Sequence, residues 1–411
     1  MRKGFLGFNA VGKRTKYHLK IHRAITDIPR EDWNNLVTPD TVPFLEWGWL
    51  SALEESGSVS PETDWHPLHI CLWEESDSAP PGLAGKPRLV AAAPLYLRSS
   101  SGGEYIWDYF WAEAAADMGR HWYPRMVGAP AVTPAEGYRF LAAPDVDIKE
   151  ASAVLLNAAE TVCRQNRIPS LNLLWVDPAW AEILPGLGYT AWDHSHYLWE
   201  NNDLTDFDGY LSLFSKNQRK NIRKEYNRHF EQGITIRIIQ GEEAEEGHYR
   251  RMFELFTITN DKFIPWDARW VNEDFFLRLA KNCRDSTAFV EASRDNSGEV
   301  LAMAFLVRKG DRLWGRFWGA YEDVRDLHFT VCYYAPMDYC IRNKIRYFDP
   351  GAGSPHKIRR GFIAARNRSW HKFFDPVLGR LFNDNIEAVN LHEAARIKEL
   401  NAELPFKQPS G

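Results

Sequence analysis

The apolar and polar positions of this chain follow two periods, and their alternation predicts a mixed α/β protein. Residues 1 to about 18 carry Arg2, Lys3, Lys13, Arg14 and Lys16 with little periodicity and read as a basic flexible arm. Helices are expected around Pro29 to Val37 and Phe44 to Glu55, then a strand near His66 to Trp73. The Ser/Pro/Gly-rich stretch Ser76 to Lys86 breaks the pattern. Beyond it, the apolar run Leu89 to Leu97 reads as a buried strand, followed by a turn and an aromatic strand, Tyr105 to Trp111.

The segment Ala288 to Ala320 repeats this strand, hairpin, strand plan with FVEAS, VLAMAFLVR and LWGRFWGA joined by Asn-Ser-Gly and Gly-Asp turns. Val90, Ala91 and Ala93 align with Leu301, Ala302 and Ala304, and Trp107, Phe110 and Trp111 with Trp314, Phe317 and Trp318. The match is read as an internal duplication. Each copy is followed by a helix and a further strand: Glu150 to Gln165 then Leu171 to Val176, and His328 to Asn343 then Ile345 to Asp349. A strand that returns through a crossover helix builds a mixed sheet. The expected organisation is a basic arm over 1–18, domains over 19–200 and 201–375, and a helical tail over 376–411.

With 411 residues, the chain has room for two or three domains. Its 17 Trp, 16 Tyr and 23 Phe can build cores or line grooves for acyl chains, bases or sugars. A net charge of −5 excludes a dedicated DNA binder with a globally basic surface and leaves local patches open. The five cysteines are widely spaced, with no CxxC pair and no metal-ligand spacing, which suits thiols in a reducing compartment. No apolar run reaches signal-peptide or membrane-span length, so a cytoplasmic protein is expected.

Two nucleotide-type motifs fail. Gly7 to Lys13 imitates a P-loop, but Arg14 stands where a Ser or Thr must hold magnesium. Gly351-Ala-Gly353 begins a dinucleotide fingerprint, but His356 replaces its third glycine. HExxH, GxSxG and EF-hand patterns are absent from the sequence.

Three clusters survive. The run Ser215 to Arg228 opens with a capping box, Ser215 and Gln218, and its helix ends at Gly233. At about 100° per residue, Lys216, Arg219, Lys220, Arg223, Lys224 and Arg228 share half its circumference. Such a face is either solvated or a dock for a polyanion. The second cluster, Asp349 to Phe362, is a Gly/Pro/Ser loop after a strand, where ligands of α/β sheets usually sit. Gly351 and Gly353 let the backbone approach a ligand, and His356, Lys357 and Arg360 add charge. The third is His328 with Cys332, Tyr333 and Tyr334 at the start of the second crossover helix. Its first-half counterpart is Glu104 and Asp108, placed by alternation on one face of a strand, where either is a candidate base or a salt-bridge partner.

These features together resemble the FemAB-like N-acyltransferases of the peptidoglycan biosynthesis or recognition type, a branch of the GNAT-like superfamily. The resemblance spans about Phe44 to Asp375. It is carried by Phe44-Leu-Glu-Trp47, Ser51 to Ser58, Ala93 to Leu97, Gly103-Glu-Tyr105, Tyr123-Pro124, Lys220 to Arg223, His328-Phe329, Cys332 to Tyr334, Gly351-Ala352, His356-Lys357 and Arg360-Gly361. It implies tandem duplicated GNAT-like domains with mixed central sheets that move an acyl or aminoacyl group to an amine. The sequence departs from the family at Thr330 and at Gly353-Ser354-Pro355, where the family has glutamates.

The expected chemistry is amide formation by direct attack, with His328 or His356 as the base because its pKa should lie near operating pH. A ping-pong route through Cys332 needs a lowered thiol pKa. Lys220, Arg223, Lys357 and Arg360 are expected to hold the donor's phosphates beside Gly351 and Gly353, with Trp107, Trp111, Trp318, Tyr333 and Tyr334 lining the acceptor groove. No bound cofactor is expected. The co-substrate is an acyl-CoA, an acyl-carrier protein or an aminoacyl-tRNA, and the acceptor a small or lipid-like amine. Non-catalytic recognition of a glycan or lipid is the remaining class, and the basic arm leaves room for peripheral contact with the inner face of a membrane.

Overall fold

The computed structural model describes residues 6–7, 16–75, 86–263, 268–353 and 355–407. The arm residues Arg2, Lys3, Lys13 and Arg14 and most of the Ser/Pro/Gly-rich stretch lie outside them. Contacts divide the chain into Met1–Trp192 with Arg368–Val389, and Asp193–Asn367 with Asn390–Gly411. Both are α/β units with mixed strand pairings.

In the first unit, His69–Glu75 lies antiparallel between Lys16–His22 and Arg88–Ala93. The expected strand Leu89 to Leu97 is in fact two, because Pro94 has no N–H to give a ladder and the chain changes sheet there. It resumes as Tyr96–Arg98, antiparallel to Arg125–Gly128. The helix Ile148–Gln165 buries Ala151, Leu155, Leu156, Ala159 and Cys163 on one stripe, and Asp147 caps it by accepting from the Lys149 amide at 2.7 Å. It leads to Ser170–Leu173, parallel to Arg125–Gly128 as a crossover requires.

The aromatic strand expected over Tyr105 to Trp111 is instead a loop and a helix, Tyr109–Asp117. The alanine-rich sequence AEAAA favours the helix, and Trp111 and Ala115, four residues apart, bury its inner stripe. Trp111 stacks on Trp122 at 6.1 Å and meets Phe382 at 4.9 Å, so it is core rather than groove. An antiparallel pair that carries the apolar strand occurs in both units, but the aromatic strand that follows it in the second has no counterpart in the first.

The second unit is an antiparallel meander of Ile234–Gln240, Thr287–Arg294, Val300–Lys309 and Arg312–Ala320. Gly319 lets the helix Glu246–Asp261 pack closely; a Cβ there would fall 2.0 Å from the Leu255 carbonyl oxygen. Phe305 pairs with Phe317 but Leu306 with Gly315, so Arg316 is the extra residue of a bulge. Tyr347–Asp349 then pairs antiparallel with Trp199 and Glu200 on one edge and, on the other, joins in parallel beside Arg312–Trp314, the first three residues of the last meander strand. Beyond that point the two strands part, since Pro350 cannot donate to a ladder and Gly351 turns away at φ +80°.

The crossover is helical from Leu327 to Arg342 but widens into a π-turn over Thr330–Tyr334. Pro336, which lacks the N–H that an α-helix would give to the carbonyl four residues back, accounts for the widening. The final helix, Pro376–Ala402, gives Leu378, Phe382 and Ile386 to the first unit's core, while Ile397 and Leu400 pack in the second. No described helix is long and apolar enough to cross a membrane.

Candidate active site

The parted strands open a slot of about 220 Å³ in the second unit. Gly315, Arg316, Phe317 and Trp318 line one wall, and His328, Cys332 and Tyr333 come from the crossover helix. Pro350, Ala352 and Lys357 close it from the loop. Arg316 and Asp349 are ion-paired at 3.1 Å, and Asp349 also accepts the Gly351 amide at 2.7 Å, which shapes the loop. Lys357 is buried, and its Nζ donates to the carbonyls of Gly351 and Ala352 at 2.7 and 2.9 Å. Burial pushes its pKa down to about 8, against the opposing pull of Asp349.

His356 lines a second cavity of about 620 Å³ beside this loop. Lys224 and Arg228 of the helix Lys216–Glu231, together with Arg325, Arg359 and Arg360, give it positive walls, opposed by Glu225, Asp326 and Glu403. Tyr333, which lines the slot, lies with its hydroxyl 3.0 Å from His356 Nε2. His328 and His356 are 6.0 Å apart between ring centres, so the two spaces meet at a pair of imidazoles. His328 also packs edge-on against Trp318 at 4.8 Å.

The second and third sequence clusters are thus brought together, with changed roles for several members. Burial first, then the neighbouring His356, Arg360 and Lys357, drives His328 down to about 3, and burial with Arg360 and Lys357 drives His356 to about 4. Both are neutral imidazoles at pH 7, too weakly basic to be the base expected with a pKa near operating pH. Cys332 is half-buried in the slot, and desolvation pushes its thiol pKa up, opposite to the shift an acyl-enzyme route requires. Tyr334 lies behind the slot, where its hydroxyl donates to Glu225.

The cationic helix forms, but not with its expected cap: Ser215 makes no side-chain cap bond, and the Gln218 amide donates to the Arg359 carbonyl at 2.7 Å. Helix and loop are thereby tied together. Its cavity-facing cations are Lys224 and Arg228; Arg223 pairs with Asp208 at 2.9 Å, and Lys220 is exposed. Arg360 is committed internally, to Glu225 at 2.8 Å and over the Phe329 ring at 3.3 Å. Arg325 and Arg359 are site residues that sequence reasoning passed over. Arg316 had left a signal, a lone charge inside the aromatic strand LWGRFWGA.

Glu104 and Asp108 belong to the first unit and lie on no strand. Glu104 meets Arg98 at 3.3 Å, and burial pushes its pKa up. Asp108 lies 3.0 Å from Arg125 and accepts from Trp122 Nε1 at 2.7 Å. Burial would raise the Asp108 pKa, but Arg125 and the hydrogen bonds hold it low. Both carboxylates are locked in a buried ionic lattice, which leaves no basic site turned toward a substrate. Trp107 is 51% exposed on the loop beside them.

The FemAB-like model, described as peptidoglycan biosynthesis/recognition, matches residues 24–408. The chain belongs to the FemAB-like family. A comparison with curated proteins returns no match. Among solved structures, FemX is 12% identical with a TM-score of 0.51, the match covering 88% of this chain and 99% of FemX. L-PGS from Bacillus licheniformis is 10% identical at 0.44, over 83% and 96% of the two chains. A tandem GNAT protein from the clavulanic acid biosynthesis pathway is 11% identical at 0.42, over 87% and 99%. The likeness to FemX is one of fold, the mixed α/β architecture expected from the sequence. The family's description places the chain among proteins of peptidoglycan biosynthesis or recognition.

Proposed function

We propose that this FemAB-like protein is an N-acyltransferase that moves an acyl group from a thioester donor, acyl-CoA or an acyl-carrier protein, to the primary amine of a small or lipid-like acceptor. The observation that carries the reading is Lys357, a buried lysine held by two backbone carbonyls at the wall of a slot lined on one side by aromatic rings. The acyl chain lies between Phe256, Phe317 and Trp318, and the donor's phosphates meet Lys224, Arg325 and Arg359 in the adjoining cavity. The neutral amine attacks the thioester carbon, and the C–N bond forms as the carbonyl pair moves onto oxygen. The ammonium of Lys357 stabilises that oxyanion in low dielectric. The pair returns, the C–S bond breaks, and the proton shed by nitrogen ends on the thiolate. Tyr333, oriented by neutral His356, positions the reacting carbonyl.

Equilibrium binding of CoA, acyl-CoAs of rising chain length and bulk charged tRNA at two salt concentrations tests the donor. Affinity that climbs with chain length supports the thioester reading, provided that Lys357→Ala slows amide formation about 100- to 1000-fold. Binding without turnover on any amine would leave a recognition protein. An aminoacyl-tRNA donor is the second reading, favoured by the five cations of the open cavity. It predicts a steep loss of binding with salt, because phosphate contacts release counterions.

A further inference from the structure

Glu225 runs against the positive character of its surroundings. It is an acid among Lys220, Arg223, Lys224 and Arg228 on the cationic helix, and it lines the same cavity as Lys224 and Arg228. Its side chain is 23% exposed and that of Arg360 is 6% exposed. One oxygen, Oε2, receives both Arg360 Nη2 at 2.8 Å and the Tyr334 hydroxyl. Arg360 is fixed from the other side by its stacking on Phe329 and by Nη1, which donates to the His356 carbonyl at 3.0 Å. The most deeply buried cation of the cavity is therefore already matched by an anion of the protein itself.

We propose that Glu225 is a specificity-determining residue that makes this cavity reject single small anions and accept extended phosphate esters; the proposal rests on the reading that the cavity takes the donor's phosphates. A lone phosphate that approaches Arg360 meets the Glu225 carboxylate at close range, where like charges repel strongly in a partly desolvated wall. Seated there it gains a single buried cation and must displace an existing charge-assisted bond. A diphosphate ester can instead span Lys224 and Arg359, at the more exposed side of the cavity, and leave the Glu225–Arg360 pair undisturbed. Selection between the two classes comes from the unfavourable element, and the same pair keeps His356 in place through its carbonyl. Inorganic phosphate, abundant wherever phosphate esters are, is thereby kept out of the donor site.

The test is calorimetric binding of inorganic phosphate, pyrophosphate and CoA to the full chain, wild type and variants. The wild type is expected to bind CoA and pyrophosphate at least about tenfold more tightly than phosphate. Glu225→Gln, which keeps hydrogen bonds to Arg360 and Tyr334 but removes the charge, is expected to tighten phosphate at least about tenfold and so narrow that ratio. Tyr334→Phe, which loosens the same cluster without changing its charge, is expected to leave the ratio as it is. A ratio unchanged by Glu225→Gln, or shifted equally by Tyr334→Phe, overturns the proposal while the phosphate cavity stands. If CoA and pyrophosphate fail to bind both wild type and Glu225→Gln, the donor reading falls and this proposal with it. Should Glu225→Gln not fold, the wild type decides alone: a preference over phosphate below about threefold overturns the claim.

Discussion

Arg316 and Asp349 face each other at 3.1 Å where two parallel strands part, with side chains only 3% and 10% exposed. The bulge supplies the arginine, and the end of the shorter strand supplies the aspartate. Removing one partner strands the other's charge in the protein, at a cost of about 3 to 5 kcal/mol. Asp349→Asn is therefore expected to lower the urea midpoint markedly, and Arg316→Gln added to it to recover part of the loss. Additive losses in the double-mutant cycle would refute the coupling.

Lys357 gives the activity a pH signature. Its pKa is lowered from 10.5 to about 8, so the ammonium needed for the oxyanion is lost as pH rises through about 8. The rate at saturating donor is expected to fall along that limb, while the rising limb follows the pKa of whichever acceptor amine is used. Lys357→Arg, charged throughout, should move the falling limb to higher pH. Lys357→Ala should cost about 100- to 1000-fold in turnover, the scale of one lost oxyanion donor. A falling limb that tracks the acceptor amine instead would remove Lys357 from the step.

The sequence made the architecture legible where one residue type could do only one thing. The apolar run Leu301 to Val307 is bounded by Asn-Ser-Gly and Gly-Asp turns, which leave it the length of a buried strand, and the six cations of Lys216 to Arg228 share one helical face only if that helix forms. Tyr105 to Trp111 misled because alternating aromatics fit a strand as well as a helix start, and the alanines that decided the matter follow it. At the site, the residue types His328, His356, Lys357 and Cys332 were visible, but their ionisation was not. The pKa values depend on burial and on Arg360 lying nearby, which spacing along the chain does not encode. Pairings across distant segments, such as Arg360 with Glu225, were hidden for the same reason.

Cys332 separates direct attack from an acyl-enzyme. Its thiol is held protonated by the surrounding protein, with Lys357 only weakly opposing that effect. Cys332→Ser is expected to retain turnover within about threefold, since a half-buried, near-isosteric swap disturbs packing little. Intact-mass analysis after mixing with donor alone should show no added acyl mass. A stable adduct on the wild type that Cys332→Ser abolishes would instead establish the ping-pong route.

Acid should destabilise the fold through histidines held neutral. His22 is 3% exposed, and its pKa is lowered from 6.5 to about 4 by burial and by Lys20; His328 and His356 are depressed to about 3 and 4. Between pH 6.5 and 4 the unfolded chain binds protons that the folded chain refuses, so stability rises with pH across that window. Their contribution is fully present above about pH 6.5 and is lost as pH falls toward 4. For His22, the group with the least solvent contact, the loss is of order 2 kcal/mol. Urea unfolding at pH 7 and pH 5 should show a lower midpoint in acid, and His22→Asn, which cannot take up a proton in either state, should flatten the dependence. An unaltered pH slope in that variant would show that acid acts elsewhere, through the carboxylates of the buried pairs.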